Sequence, residues 1–422
     1  MSDSCNSRHF SWLMKSCFPN PQDTNKSLSP NPIQSITISP SSSTTLCSLP
    51  DDLLLECLSR VPSASLPSLS LVCRRWSYLL RSPSFLSLRR LHNLLHPTVF
   101  AFSASDSGVF AASLRFQDDQ INIHGLGKVA SCLPFQIASL DNISHSRLSA
   151  IGPRIYIIGR NGLLCYDTWS GTVSLRSPMI FSRKKFASAV VSGKIYVAGG
   201  GSRVATAVEE YDPESDTWTV VAHAPRRRFG CIGAAVDGVF YVIGGLKIGG
   251  VTGNEFSRLA TAGAEAHVYA STMDLYDVEA GVWLRSRAVP GGGCVVAACA
   301  AAGHVYILAS HAVELSFWRF DARRQTTGGG GFGEWCRMKS PPLPAQVRLD
   351  SIVRFSCVGV EDKVVLIQVN GCIDDLLRRS GRNIRGLREG LILVYDSSRG
   401  EWSRGPDLPE VIRRAACVTV EC

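Results

Sequence analysis

Ile195-Tyr196-Val197-Ala198-Gly199-Gly200, followed by Tyr211-Asp212 and then Trp218, is the stretch on which the reading of this chain turns. An apolar strand runs into twin glycines, and the Tyr-Asp pair stands seven and six residues before the tryptophan. The unit returns as Phe240-Tyr241-Val242-Ile243-Gly244-Gly245 with Tyr276-Asp277 and Trp283. Tyr395-Asp396 and Trp402 keep the same spacing. Phe320-Asp321 with Trp335 is the unit opened by an insertion containing Gly328-Gly329-Gly330-Gly331, and Tyr166-Asp167 is followed by Val173 where the tryptophan would stand. Weaker copies of the strand are Ile155-Tyr156-Ile157-Ile158-Gly159, Val305-Tyr306-Ile307-Leu308-Ala309 and Val364-Val365-Leu366-Ile367.

Tyr211 follows Tyr166 by 45 residues, and Phe320 follows Tyr276 by 44. Repeats of about 45–50 residues, each with several short strands, are the sequence sign of propeller blades. Longer gaps hold Gly- or charge-rich insertions at 246–268 and 370–390. Twin glycines suit a strand end where the backbone turns or packs closely. Tyr and Trp fill the wedge between adjacent sheets, with their polar atoms on partners. Trp218, Trp283 and Trp402 are therefore read as structural, since a ligand site needs no such repetition. Residues 97–140 lack the motif but hold strand-like Val99-Phe100-Ala101-Phe102 and Val109-Phe110-Ala111-Ala112. At the other end, Arg414-Ala415-Ala416-Cys417-Val418-Thr419-Val420 resembles the strand that opens each repeat, such as Phe186-Ala187-Ser188-Ala189-Val190-Val191, yet no Tyr-Asp or Trp follows it. It is predicted to complete the blade begun at 97. The count is then six blades, closed by the C-terminal strand, which removes exposed sheet edges.

The order of apolar strand, Gly-Gly, Tyr-Asp and Trp resembles the kelch repeat over most of 145–405. The resemblance implies an all-β kelch propeller for residues 97–422.

Residues 46–96 have another character. Asp51 and Asp52 suit the positive end of a helix that carries Leu53, Leu54, Leu55, Leu58 and Val61 and stops at Pro62. In the next helix Leu69, Val72, Cys73, Trp76 and Leu80 fall at i, i+3, i+4, i+7 and i+11, one face of a continuous helix. Ser82-Pro83 ends it, and 85–95 reads as a third amphipathic helix. A unit of about 50 residues buries little of its own surface, so part of this stripe is either core or a docking face. Leu49-Pro50-Asp51 and Val72-Cys73-Arg74-Arg75-Trp76, at this separation, resemble the two halves of an F-box. The resemblance implies a small all-α domain that binds the Skp1-like subunit of a cullin–RING ligase. It carries that role onto Leu49, Pro50, Leu53, Leu58, Val72, Cys73 and Trp76. F-box plus kelch, behind a Ser-rich leader, is most similar to a plant family.

Composition limits the alternatives. The chain has 422 residues, 45% apolar, 19% charged, with 37 Gly and 21 Pro, which excludes a wholly disordered or collagenous protein. No run approaches the roughly 18 apolar residues of a membrane span. Residues 1–45, rich in Ser, Pro, Asn and Thr, read as a disordered leader. They have no signal-peptide core and too few basic residues for plastid transit. The 15 cysteines include no Cys-x-x-Cys, so no RING zinc ligands are expected, and reduced thiols in a cytoplasmic or nuclear protein are. Nine scattered histidines offer no His/Tyr copper cluster, and the Glu-x-x-x-Asp-x-x-x-His iron motif of glucosinolate-related kelch proteins is absent. No cofactor, no metal and no catalytic residue are expected.

The net charge of +9 is spread along the chain, which does not call for nucleic acid. Its phase is informative. Basic residues stand just before the opening strand of most blades: Arg147, Arg183-Lys184-Lys185, Arg226-Arg227-Arg228, Arg348 and Arg413-Arg414. The blade after Pro290 has Gly291-Gly292-Gly293 instead. Equivalent positions in a closed ring share one end, so Arg183, Lys185, Arg226, Arg227, Arg228, Arg413 and Arg414 are expected to form a basic rim for an acidic or phosphorylated protein substrate. The expected function is that of a non-catalytic adaptor for ubiquitination. A kelch scaffold without ubiquitination is the rival, and a metabolic enzyme the third alternative.

Overall fold

The structure, a computed structural model, describes residues 46–105, 108–117, 120–130, 146–201, 206–247, 267–311, 314–323, 333–343, 354–370, 390–409, 412 and 415–422. The leader 1–45, Arg348, Arg413, Arg414, the Gly328–Gly331 tetrad and most of both insertions lie outside them. The chain divides into two compact units, Met1–Leu94 and Leu95–Cys422.

The first unit is helical: α1 (Asp51–Ser59), α2 (Leu66–Ser70), α3 (Arg74–Leu80) and α4 (Pro83–Leu91). Asp51 and Asp52 occupy the first turn of α1, where carboxylates complement the helix dipole. Ser82 caps α4 by accepting the Phe85 N–H at 3.2 Å, with Pro83 at the first helical position. Leu54, Leu58, Leu66, Leu79, Leu80 and Phe85 are buried and make the small core. Arg89 of α4 is buried and donates to the carbonyls of Ser59 and Val61 at 3.0 and 2.7 Å, closing the C-terminal end of α1. One expectation fails. The stripe from Leu69 to Leu80 is not one helix, because Cys73 is extended (φ −159°, ψ 166°) and separates α2 from α3. Its thiol accepts the Trp76 N–H at 3.5 Å, so the cysteine acts as a helix cap. The break turns Leu71, Val72 and Cys73 out to solvent.

The second unit is a six-bladed β-propeller. Blade 2 comprises Arg147–Ile151, Arg154–Ile158, Leu163–Asp167 and Val173–Arg176. Blade 3 is Ala187–Val191, Lys194–Ala198, Ala207–Asp212 and Thr217–His223. Blade 4 is Ile232–Val236, Val239–Ile243, Thr272–Asp277 and Val282–Trp283, with Arg287–Ala288 added. Blade 5 is Cys294–Ala301, His304–His311, Glu314–Asp321 and Trp335–Met338. Blade 6 is Arg354–Val360, Lys363–Asn370, Ile392–Asp396 and Glu401–Arg404. Blade 1 joins the two ends of the unit: the C-terminal strand Ala416–Glu421 pairs antiparallel with Pro97–Ser105, followed by Gly108–Gln117 and Gln120–Ala130. The innermost strands contact one another in sequence around the ring, and Ala416–Glu421 touches those of blades 2 and 6.

The repeat spacing has a plain geometric meaning. Tyr211 lies directly opposite Trp218, Tyr276 opposite Trp283, Tyr395 opposite Trp402, Phe320 opposite Trp335, and Tyr166 opposite Val173. In the four aromatic pairs the ring centroids are 4.9–5.2 Å apart. Trp218 donates its indole N–H to the Ser177 carbonyl after blade 2, and Trp402 to that of Lys339 after blade 5, which ties each tryptophan to the preceding blade. The apolar clusters likewise lie between neighbouring blades rather than within one. The twin glycines adopt positive φ, 74° and 69° at Gly199 and Gly200. A Cβ on Gly200 would stand 2.4 Å from the Lys184 carbonyl oxygen, so neither the turn nor the close approach admits a side chain there.

Candidate functional site

Two surfaces stand out, one in each unit. On the helical unit Leu53, Leu71, Val72 and Tyr78 are 52, 83, 55 and 76% exposed. Arg75 of α3 donates to the Leu49 carbonyl at 2.5 Å and to the Asp51 carboxylate at 2.8 Å, which brings the start of α1 to the start of α3. Leu49 and Trp76 are half-buried beside this junction, while Pro50 and Cys73 are exposed. Six of the seven residues singled out from the sequence thus have surface to offer. Leu58 does not: it is 5% exposed and belongs to the core of the unit. Leu71 and Tyr78, which a continuous helix would have aimed away from the stripe, are exposed as well.

On the propeller a cavity of about 640 Å³ opens on the ring axis. All six blades line it, through Leu148, Ser188, Ile232, Val296, Ser356 and Cys417 among others. Lys185, Arg147 and His267 add polarity at its edge, and the Cys294 thiol lies 3.7 Å from His267 Nδ1. A smaller pocket of about 190 Å³ adjoins it, between blades 2 and 3. Ser146, Arg160, Arg183, Lys184, Lys185, Phe186 and Phe229 line that pocket.

Two of the residues expected on the basic rim are buried instead. Arg183 and Arg228 are each 1% exposed. Arg183 donates Nε to Glu209 at 2.8 Å, Nη1 to the Gly199 carbonyl at 2.9 Å and Nη2 to the Ala207 carbonyl at 2.7 Å. Arg228 repeats the arrangement one blade on, with Asp274 at 2.8 Å, the Gly244 carbonyl at 2.7 Å and Thr272 Oγ1 at 2.8 Å. These two guanidiniums are internal clamps that hold the first glycine of the pair to the third strand. A signal for them existed: Glu209 and Asp274 each stand two residues before the motif tyrosine. Arg226 also pairs with Asp274 and Ser286 and is half-buried. Burial alone would raise the Asp274 carboxyl, but Arg228, Ser286 and Arg226 outweigh it and hold the group below the usual carboxylate range. Arg227, Lys184 and Lys185 keep surface exposure. Arg147 lies within the inner strand of blade 2 and donates to the Phe186 and Cys231 carbonyls at 2.6 and 3.2 Å. Among the described residues no group of three or more His, Cys, Asp or Glu side chains converges as a metal site would.

With this geometry in place, the similarities to known proteins are specific. The F-box domain family model matches residues 46–88, and the Kelch motif model matches residues 182–225. An F-box/kelch-repeat protein of Arabidopsis thaliana is 64% identical over 423 residues, covering 100% of both chains. The chain belongs to the F-box/kelch-repeat family. A second F-box/kelch-repeat protein of that plant is 30% identical over 260 residues, 57% of this chain and 61% of that one. The F-box protein AFR of the same plant is 28% identical over 189 residues, 42% and 49% of the two chains. The F-box match takes in α1 to α3 and most of α4, so the exposed apolar residues are F-box residues. The kelch match takes in blade 3 and both members of the Arg183–Glu209 clamp. F-box/kelch-repeat proteins are typically adaptor subunits rather than enzymes.

Proposed function

We propose that this F-box/kelch-repeat protein is the substrate-recognition subunit of a Skp1–cullin–F-box ubiquitin ligase. The F-box binds the Skp1-like subunit, and through it the cullin and the RING protein. The propeller holds a protein substrate at its axial cavity and the basic residues beside it. The observation that carries this reading is that Leu53, Leu71, Val72 and Tyr78 are exposed on an F-box that shares its chain with a closed propeller. Large exposed apolar side chains on a small unit favour an interaction site. The protein performs no bond chemistry of its own. Holding a substrate lysine near a charged ubiquitin-conjugating enzyme turns a bimolecular encounter into a local one, at effective concentrations up to the millimolar range for flexibly linked modules. Ten cysteines are free among the described residues, which suits a reducing cytoplasmic or nuclear setting. Affinity capture under proteasome inhibition, comparing the full chain with a form lacking residues 46–88, tests the reading. The full chain should retain the Skp1-like subunit and accumulate ubiquitinated substrate, and the deleted form neither. Equal recovery from both forms would leave a scaffold without ligase function.

A further inference from the structure

Blades 3 and 4 superimpose in sequence through their arginine clamps, Arg183 with Glu209 and Arg228 with Asp274. Two residues after each arginine the backbone enters the left-handed region. In blade 4 that residue is Gly230, with φ 77°; in blade 3 it is Lys185, with φ 53°. A glycine adopts this conformation freely, whereas a long side chain is strained there. The strain is locked in, because the Lys184 N–H donates to the Gly200 carbonyl and the Lys185 carbonyl accepts the Gly230 N–H, both at 2.8 Å. A lysine therefore stands where blade 4 uses glycine, and the folded backbone gains nothing from it.

The position has an evident use. Lys185 lines both the axial cavity and the adjoining 190 Å³ pocket, with its ammonium 5.5 Å from the centroid of the Phe229 ring. Lys184 and Arg160 are exposed on the same pocket, and Arg160 spends Nε on Ser182 Oγ at 3.1 Å. Neither lysine meets a carboxylate among the described residues. The fourth cation, Arg183, is neutralised by Glu209, and among the described residues no acidic one lines the pocket. Three cations converge where one would satisfy a carboxylate. A phosphate monoester, with a charge of about −2 and three acceptor oxygens, matches them.

We propose that Lys185, Lys184 and Arg160 form a phosphate-monoester site between blades 2 and 3, which reads a phosphorylated side chain of the protein substrate. The inference rests on the propeller being the substrate-holding part of the adaptor. Calorimetric titration of the purified full chain with O-phosphoserine, at constant ionic strength, tests it against aspartate and a single-stranded oligonucleotide. O-phosphoserine should bind saturably and at least about tenfold tighter than aspartate. Lys185→Gly should weaken it about tenfold or more while leaving the melting temperature of the free chain equal or higher, since the strain is relieved. A merely structural lysine would not show that divergence. Arg160→Ala with Lys184→Ala, both on exposed positions, should also abolish binding. Unchanged affinity in either variant, equal affinity for aspartate, absence of saturable binding, or tighter binding of the oligonucleotide would each overturn the proposal. Capture of the Skp1-like subunit is measured separately on the same variants and on the unmodified chain. In these variants lost phosphoserine binding with intact capture supports the inference; in the unmodified chain, absent phosphoserine binding with intact capture would sink only this inference, and absent capture would sink the adaptor reading.

Discussion

Arg228 shows how a basic residue before a blade becomes part of its wall. Its guanidinium meets Asp274 and the carbonyls of Gly244 and Thr272, with both side chains of the ion pair almost fully buried. Removing one partner of such a pair leaves a buried charge unmatched, at a cost of about 3–5 kcal/mol. Asp274→Ala should therefore lower stability by that amount, and thermal or denaturant unfolding of the full chain measures it. The lowered pKa of Asp274 fixes the sign of the pH effect. An unfolded aspartate titrates near about 3.9. The stabilisation it contributes is complete above that value and is lost as pH falls through the lower folded value. Acid unfolding should accordingly begin at higher pH in a variant whose other carboxylates are intact but whose Arg228 is replaced by Met. The sequence showed cations in phase with the blades and left their partners unread. What decided between rim and wall was the acid two residues before Tyr211 and before Tyr276, which brings charge to the first glycine only once the strands are paired.

At the scale of elements, the aromatic pairs are the seams of the propeller. Trp218 is 8% exposed, packs tilted against Tyr211 and donates across to blade 2. Trp218→Ala should cost about 3–5 kcal/mol, read from denaturant unfolding. Trp283 is half-buried and its indole N–H has no acceptor among the described residues, so the same change there should cost less. Blades 3 and 4 were legible because the Gly-Gly pair and the Tyr-to-Trp spacing report strand ends and cross-strand register directly. Blade 1 has neither, and only the orphan strand at the C-terminus betrayed its composite make-up. In the F-box, the interruption at Cys73 was not legible. Apolar periodicity runs straight through it, and the thiol that caps α3 looks like one more apolar residue on the stripe. Of the residues carried over from the F-box resemblance, Leu58 packs inward, while Leu71 and Tyr78, which that resemblance did not supply, are exposed.

For the whole molecule, closure of the ring rests on Ala416–Glu421. Its six residue pairs with Pro97–Ser105 satisfy the inner edge of blade 1. Ala415, Val418, Val420 and Cys422 are buried by that pairing and by neighbouring blades. Burying such side chains contributes roughly 1–3 kcal/mol each, so together they rival the roughly 5–15 kcal/mol by which a domain is stable. Deleting 415–422 should open the ring, expose a strand edge and shift the protein into aggregates on size-exclusion chromatography. No described helix is long and apolar enough to cross a membrane. The central claim is that one chain joins a docking F-box to a closed recognition propeller. Its most direct test is the affinity of the purified full chain for a purified Skp1-like subunit, compared with Leu53→Asp combined with Val72→Asp. Both residues are more than half exposed, so the substitutions should spare the fold. A complex of one copy of each, weakened about 100-fold or more in the variant at unchanged melting temperature, is the result predicted. Absence of a complex, or equal affinity in the variant, would contradict it.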